Sequence, residues 1–182
     1  MNSINPKKLV LAFLLLSLAT TSASYAELRN NMSADVVIGQ ADFTSQTGNP
    51  AGVKANSLWR PGIVFTDGKR LFITESDNNR VLIYNSIPTS NNASADVVIG
   101  QADFISNTLN QGSIGANTLY FPSGVCSDGK RLFIADQKNN RVLIYNSIPT
   151  SNNASADVVI GQVNFTANSE NQTGSTTVAG AN

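Results

Sequence analysis

The chemistry open to this chain is narrow, because its 182 residues include no histidine. That removes the usual general base, the Ser-His-Asp arrangement and most transition-metal sites. Four carboxylates, Asp67, Asp77, Asp128 and Asp136, could in principle act as acids or hold calcium. Asp67 and Asp128 each precede a glycine, however, a setting in which aspartate bonds its own backbone in a tight turn. No stretch has the alternating acidic residues and closing glutamate of a calcium loop. No catalytic residue, cofactor or metal is therefore expected. Asn78-Asn79-Arg80 and Asn139-Asn140-Arg141 read as turns that tolerate left-handed backbone, each followed by an arginine packed against its neighbours. Cys126 is the only cysteine, so no intrachain disulfide can form. It stands in an apolar run at the position where an earlier stretch has Phe65, and is expected as a small buried core residue. Asn-x-Ser/Thr sites at Asn31, Asn92, Asn153, Asn164 and Asn171 are expected by chance in so asparagine-rich a chain, and matter only in a eukaryotic host.

These residues belong to a repeat. Asp67 to Gln101 returns from Asp128 to Gln162, a fixed offset of 61, with differences only at Thr74/Ala135, Glu75/Asp136, Ser76/Gln137 and Asp77/Lys138. The tail of the unit, SADVVIGQADF, also begins at Ser33, again 61 residues before Ser94. A fixed period means one supersecondary unit stacked on copies of itself. Within the unit, 62–66, 70–74, 80–85 and 96–100 read as strands, with an Asp67-Gly68 hairpin turn between the first two. Residues 35–39 read as a lone strand of the fourth type, and 41–58 and 102–119 as long polar links. The strands are apolar on both faces: Val81 and Ile83 point one way, Leu82 and Tyr84 the other. Short antiparallel sheets covered on both sides and repeated at a fixed period predict an all-β fold, a β-propeller of four-stranded blades at about 59–101 and 120–162.

Pro61-Gly-Ile-Val-Phe-Thr-Asp-Gly-Lys-Arg-Leu-Phe-Ile followed by Asp77-Asn-Asn-Arg-Val-Leu-Ile-Tyr resembles an NHL repeat, and Pro122 to Tyr145 resembles it again. The period is longer than is usual for that family because of the long links, and the acidic position after the second strand appears as Glu75 and Asp136. The resemblance implies a propeller in an exported bacterial protein, periplasmic or secreted. NHL-type lyases that bind zinc through histidine are poor guides to a chain without histidine.

Propellers close with about four to eight blades. Two full blades and an extra outer strand at 35–39 predict an incomplete ring. Either the sequence is a piece of a longer protein, or several chains assemble one ring. The first is favoured, because assembly leaves one outer-type strand per chain without a blade to join. Lys7 and Lys8, the short apolar run Leu9 to Leu18 and Ser24-Tyr25-Ala26 read as a signal peptide over 1–26, with the exported product beginning at Glu27. Without the lysine pair the remaining chain carries 10 basic and 12 acidic side chains, no footprint for nucleic acid, and no later segment is apolar enough to span a membrane.

The expected function is a binding or scaffolding module for a protein or carbohydrate partner. The rival is a piece of a propeller hydrolase or lyase whose catalytic residues lie in missing blades. In an up-and-down blade the first–second and third–fourth connections share one side, and the second–third connection and the long link share the other. All four differences within the repeated core lie in or beside the second–third connection. Glu75, Ser76, Asp77, Asp136, Gln137 and Lys138 are therefore the candidate partner face.

Overall fold

The computed structural model describes residues 30–170; the expected signal peptide and the stretch 171–182 lie outside them. Met1–Ser33 and Ala34–Asn182 are separate units, and the sheets belong to the second. The first sheet contains β1 (Pro61–Thr66), β2 (Leu71–Glu75), β3 (Arg80–Tyr84) and β4 (Val97–Ile99), paired in that order. The second repeats it with β5 (Pro122–Ser127), β6 (Leu132–Asp136), β7 (Arg141–Tyr145) and β8 (Val158–Ile160). All pairings are antiparallel, and the registers correspond: Phe72 opposes Ile83 as Phe133 opposes Ile144.

Local chemistry explains the turns. Asp67 Oδ1 accepts the Lys69 and Arg70 N–H groups at 3.0 and 2.7 Å, and Gly68 takes φ 86, where a side chain would be strained. Asp128 and Gly129 repeat this, with bonds of 3.0 and 2.7 Å and φ 89. Asn79 and Asn140 adopt left-handed φ values of 51 and 52 before the third strand of each sheet, as their residue type suggested. The connections divide into two sides. Ile87 N–H reaches Lys69 O at 3.1 Å on one, while Asn79 Nδ2 reaches Asn107 O in the long link at 3.1 Å on the other. The long links are irregular apart from a short helical turn at Leu109–Gly112 that the sequence did not announce.

The two sheets stack. Phe72, Val81, Ile83, Val97 and Ile99 of the first share a core with Val125, Leu132, Ile134, Leu143 and Tyr145 of the second. Burying a side chain of this size contributes roughly 1.5–3 kcal/mol, so the stacking holds much of the fold's stability. β5 lies close to β1, β2 and β3, while β4 and β8 have no comparable approach, so the sheets open like a wedge. The opposite face of the first sheet is covered as well: Ile73, Leu82, Tyr84 and Val98 pack with Leu58 and Ala95, and Ile38 and Phe104 lie against them.

Two expectations need correction. Residues 35–39 form no strand, because no described strand lies beside them to act as β3 acts for β4. The segment nonetheless holds the place of an outer strand. Val37 N–H bonds Asn91 Oδ1 at 3.0 Å and Val37 O accepts Asn92 N–H at 2.9 Å, as Val98 is held by Asn152 and Asn153 at 3.0 Å each. Cys126 is exposed, not buried. It opposes Phe133 on the face of the second sheet that points away from the first, whereas its counterpart Phe65 points into the stack.

Candidate functional site

The side that carries the sequence differences is built on a buried ion pair in each repeat. Arg80 Nε meets Glu75 Oε2 at 2.5 Å with both side chains fully buried. Arg80 Nη1 donates to Phe104 O at 2.7 Å, and Nη2 to Lys54 O and Ser57 O at 2.9 and 3.1 Å. One guanidinium thus ties β3 to the link before it and the link after it. Glu75 Oε1 accepts Trp59 N–H and Asn78 Nδ2 at 2.9 and 2.8 Å, and Asn78 pairs amide to amide with Asn49, both bonds 3.0 Å.

The second repeat has the same arrangement with a shorter acid. Asp136 Oδ2 meets Arg141 Nε at 2.8 Å, and Arg141 reaches Phe165 O, Gly115 O and Thr118 O at 2.5, 2.8 and 2.9 Å. Tyr120 N–H and Asn139 bond the carboxylate at 2.8 Å each. Burial pushes the Asp136 carboxyl up, opposed by the bonds from Asn139, the Tyr120 N–H and Arg141. Such a pair specifies geometry more than it adds net stability, but removing one partner leaves a buried charge uncompensated.

Of the six residues expected at a partner face, two are therefore misplaced. Glu75 and Asp136 are fully buried and serve the ion pairs, because each closes its sheet's second strand opposite the arginine it pairs with. Ser76 is half-buried and donates to Pro122 O at 2.9 Å, joining the first repeat to the second. Asp77 is half-buried beside the exposed Arg60, at 3.1 Å. Gln137 and Lys138 are exposed. The structure brings Asp77, Gln137 and Lys138 to the side of the links and leaves them free of the buried network. The sequence did carry a signal for the ion pair: an acid, of either length, five positions before Arg80 and again before Arg141.

A recess of about 400 Å³ opens between Ile38, Gln40, Gln46, Gly48, Leu58, Trp59, Arg60 and Pro61. Its counterpart in the second repeat is filled by the Asn79 turn. Phe121 N–H bonds Asn79 Oδ1 at 2.9 Å and Gln101 Nε2 bonds Asn79 O at 3.0 Å, and Phe121 and Gln101 correspond to Arg60 and Gln40. The recess is thus the socket of the repeat-to-repeat contact, facing outward at the first repeat. Among the described residues no group of three or more acids or cysteines could hold a metal, and no helix is long and apolar enough to cross a membrane. No family model matches the chain, and no curated protein matches it.

Proposed function

We propose that this is a segment of an exported NHL-type β-propeller that binds a protein or carbohydrate partner through the side bearing its second–third connections. The stacked four-stranded sheets, their wedge-like opening and the 61-residue repeat support the blade reading. The observation that carries the binding reading is the contrast at one rigid position. The Arg80 and Arg141 ion pairs hold the two connections alike, yet the side chains displayed are Asp77 in one repeat and Gln137 with Lys138 in the other. A fixed scaffold with varied display is the usual layout of a binding surface. The constant side, with Lys69 and Lys130, carries no such variation.

Photo-crosslinking from Gln137 in periplasmic or secreted material, with a glycan array in parallel, tests the reading. The partner so found changes affinity on exchanging Asp77→Lys with Lys138→Asp, and keeps it on Lys69→Ala with Lys130→Ala. The reverse pattern puts binding on the constant side. No crosslink and no glycan signal sink the proposal.

A further inference from the structure

The stack between the repeats leaves two unlike faces to a neighbour. One is the outer face of the second sheet, which is partly exposed. The other is the far face of the first sheet, which Leu58, Ile38 and Phe104 cover except at β1. Each is the counterpart of a surface already buried inside the chain. On the second sheet, Phe133, Val142, Ile144, Val158 and Ile160 belong to neither core cluster. Their counterparts on the first sheet, Phe72, Val81, Ile83, Val97 and Ile99, are buried against the second sheet. Ile160 is 50% exposed where Ile99 is 0%. At the other end, Val64 is 58% exposed where its counterpart Val125 is 5%. Gly161 shows the same gap. An added Cβ at Gly39 or Gly100 would strike Leu58 or Leu119 at 2.5 and 2.6 Å, but among the described residues no leucine side chain lies near Gly161.

We infer that the occupant of both faces is a second copy of this chain, its first sheet stacked on the second sheet of its neighbour as the two sheets stack within one chain. The contact is head-to-tail, so each copy uses a different face, and the assembly grows into a ring or an open array. The intrachain interface already shows that these side chains fit one another: the exposed face repeats the sequence of the buried one at every strand position named. The Asn140 turn of one copy then has the shape to enter the recess by Gln40 and Arg60 of the next, as Asn79 enters the corresponding socket by Gln101 and Phe121.

One segment stands in the way, and its sequence removes the obstacle. Residues 33–43 occupy on the incoming copy the place that 155–165 must take, since both correspond to 94–104. SADVVIGQADF and SADVVIGQVNF differ at only two positions, so one can replace the other against Asn91, Asn92 and Leu58, remaking the same bonds and packing. Residues 155–165 hold the further advantage that β8 is already bonded to β7, whereas 35–39 is in no ladder. The exchange is close to neutral by itself, and burial of the second sheet's outer face and of Val64 on the first drives it. This inference concerns the stacking faces and stands independently of any ligand on the connection side.

Sedimentation of the chain across a concentration series tests it. The parent chain forms species beyond the dimer. Ile160→Asp blocks the second-sheet face and Val64→Asp the first-sheet face, so each variant alone is monomeric. Mixed, they form a one-to-one dimer and nothing larger, because each retains the face the other lacks. Val37→Pro removes the N–H donated to Asn91, loosens the resident segment and tightens association about tenfold. A monomeric parent chain, or a mixture that stays monomeric or grows beyond the dimer, overturns the proposal. Association unchanged or weakened by Val37→Pro overturns the exchange.

Discussion

Ile83 and Ile144 have the same neighbours in sequence and the same partners in their sheets, yet one is fully buried and the other half-buried. Val97 and Val158, again with identical partners, differ in the same way. So do Phe72 and Phe133, and Val81 and Val142, although Phe72 opposes Phe65 where Phe133 opposes Cys126, and Val81 opposes Thr74 where Val142 opposes Ala135. At Ile83 and Ile144, and at Val97 and Val158, neighbours and partners are identical, so nothing local accounts for the difference there. The second sheet covers the first, and no described element covers the second in turn. In repeat architectures stability is roughly a sum of each unit and its interfaces with neighbours. The two repeats therefore teach how much of a residue's worth lies in its unit and how much in what stands next to it.

The ion pairs are the part of the comparison that should not depend on neighbours, because both are closed within their own repeat and links. Arg80→Ala and Arg141→Ala each strand a buried carboxylate, at a cost of about 3–5 kcal/mol. Chemical denaturation of the two variants should give similar losses. A markedly smaller loss for Arg141→Ala breaks the equivalence of the two networks and makes Asp136, the shorter acid, the weaker anchor.

The apolar faces should separate. Ile83→Ala removes a fully buried side chain and should cost about 2–5 kcal/mol. Ile144→Ala should cost well under half of that in dilute protein, since half of its surroundings are absent. Raising the protein concentration sharpens the test: if copies stack, the Ile144 penalty rises toward that of Ile83 while the Ile83 penalty stays constant. Equal penalties in dilute solution contradict the burial difference.

The smallest effect concerns the Asp-Gly turns and their response to acid. Bonds from the Arg131 N–H, the Arg131 side chain and the Lys130 N–H hold Asp128 down at about 2, below its ordinary 3.8. Burial raises Asp67, but the Arg70 N–H, the Lys69 N–H and the Arg70 side chain outweigh it and leave its carboxyl below the ordinary value. The unfolded chain thus takes up these protons first. The stability each contributes is complete above the unfolded value and is lost as pH falls through its lowered folded value, for Asp128 from about 4 to about 2. Asp128→Asn should reduce the drop in melting temperature between pH 5 and that range, as calorimetry would record. An unchanged drop assigns the acid sensitivity elsewhere.

How much of this could be read from residues alone follows from the range of each interaction. Strand order, the Asp67 and Asp128 turns and the left-handed Asn79 and Asn140 depend on a few adjacent residues, so the sequence was enough to foresee them. The two-sided apolar pattern of Val81-Leu82-Ile83-Tyr84 likewise announced a sheet covered on both faces. Glu75 and Asp136 were misread as surface because sequence divergence within a turn looks the same whether the residue is displayed or buried. Only the register that sets each beside its arginine, together with the carbonyls of Lys54, Ser57 and Phe104 that converge on Arg80, decided their role. Cys126 and the 35–39 segment depended on which neighbour stands across a face or an edge. Burial and ladder formation need a partner from a distant part of the chain, and identical letters at Ile83 and Ile144 cannot say which of them has one.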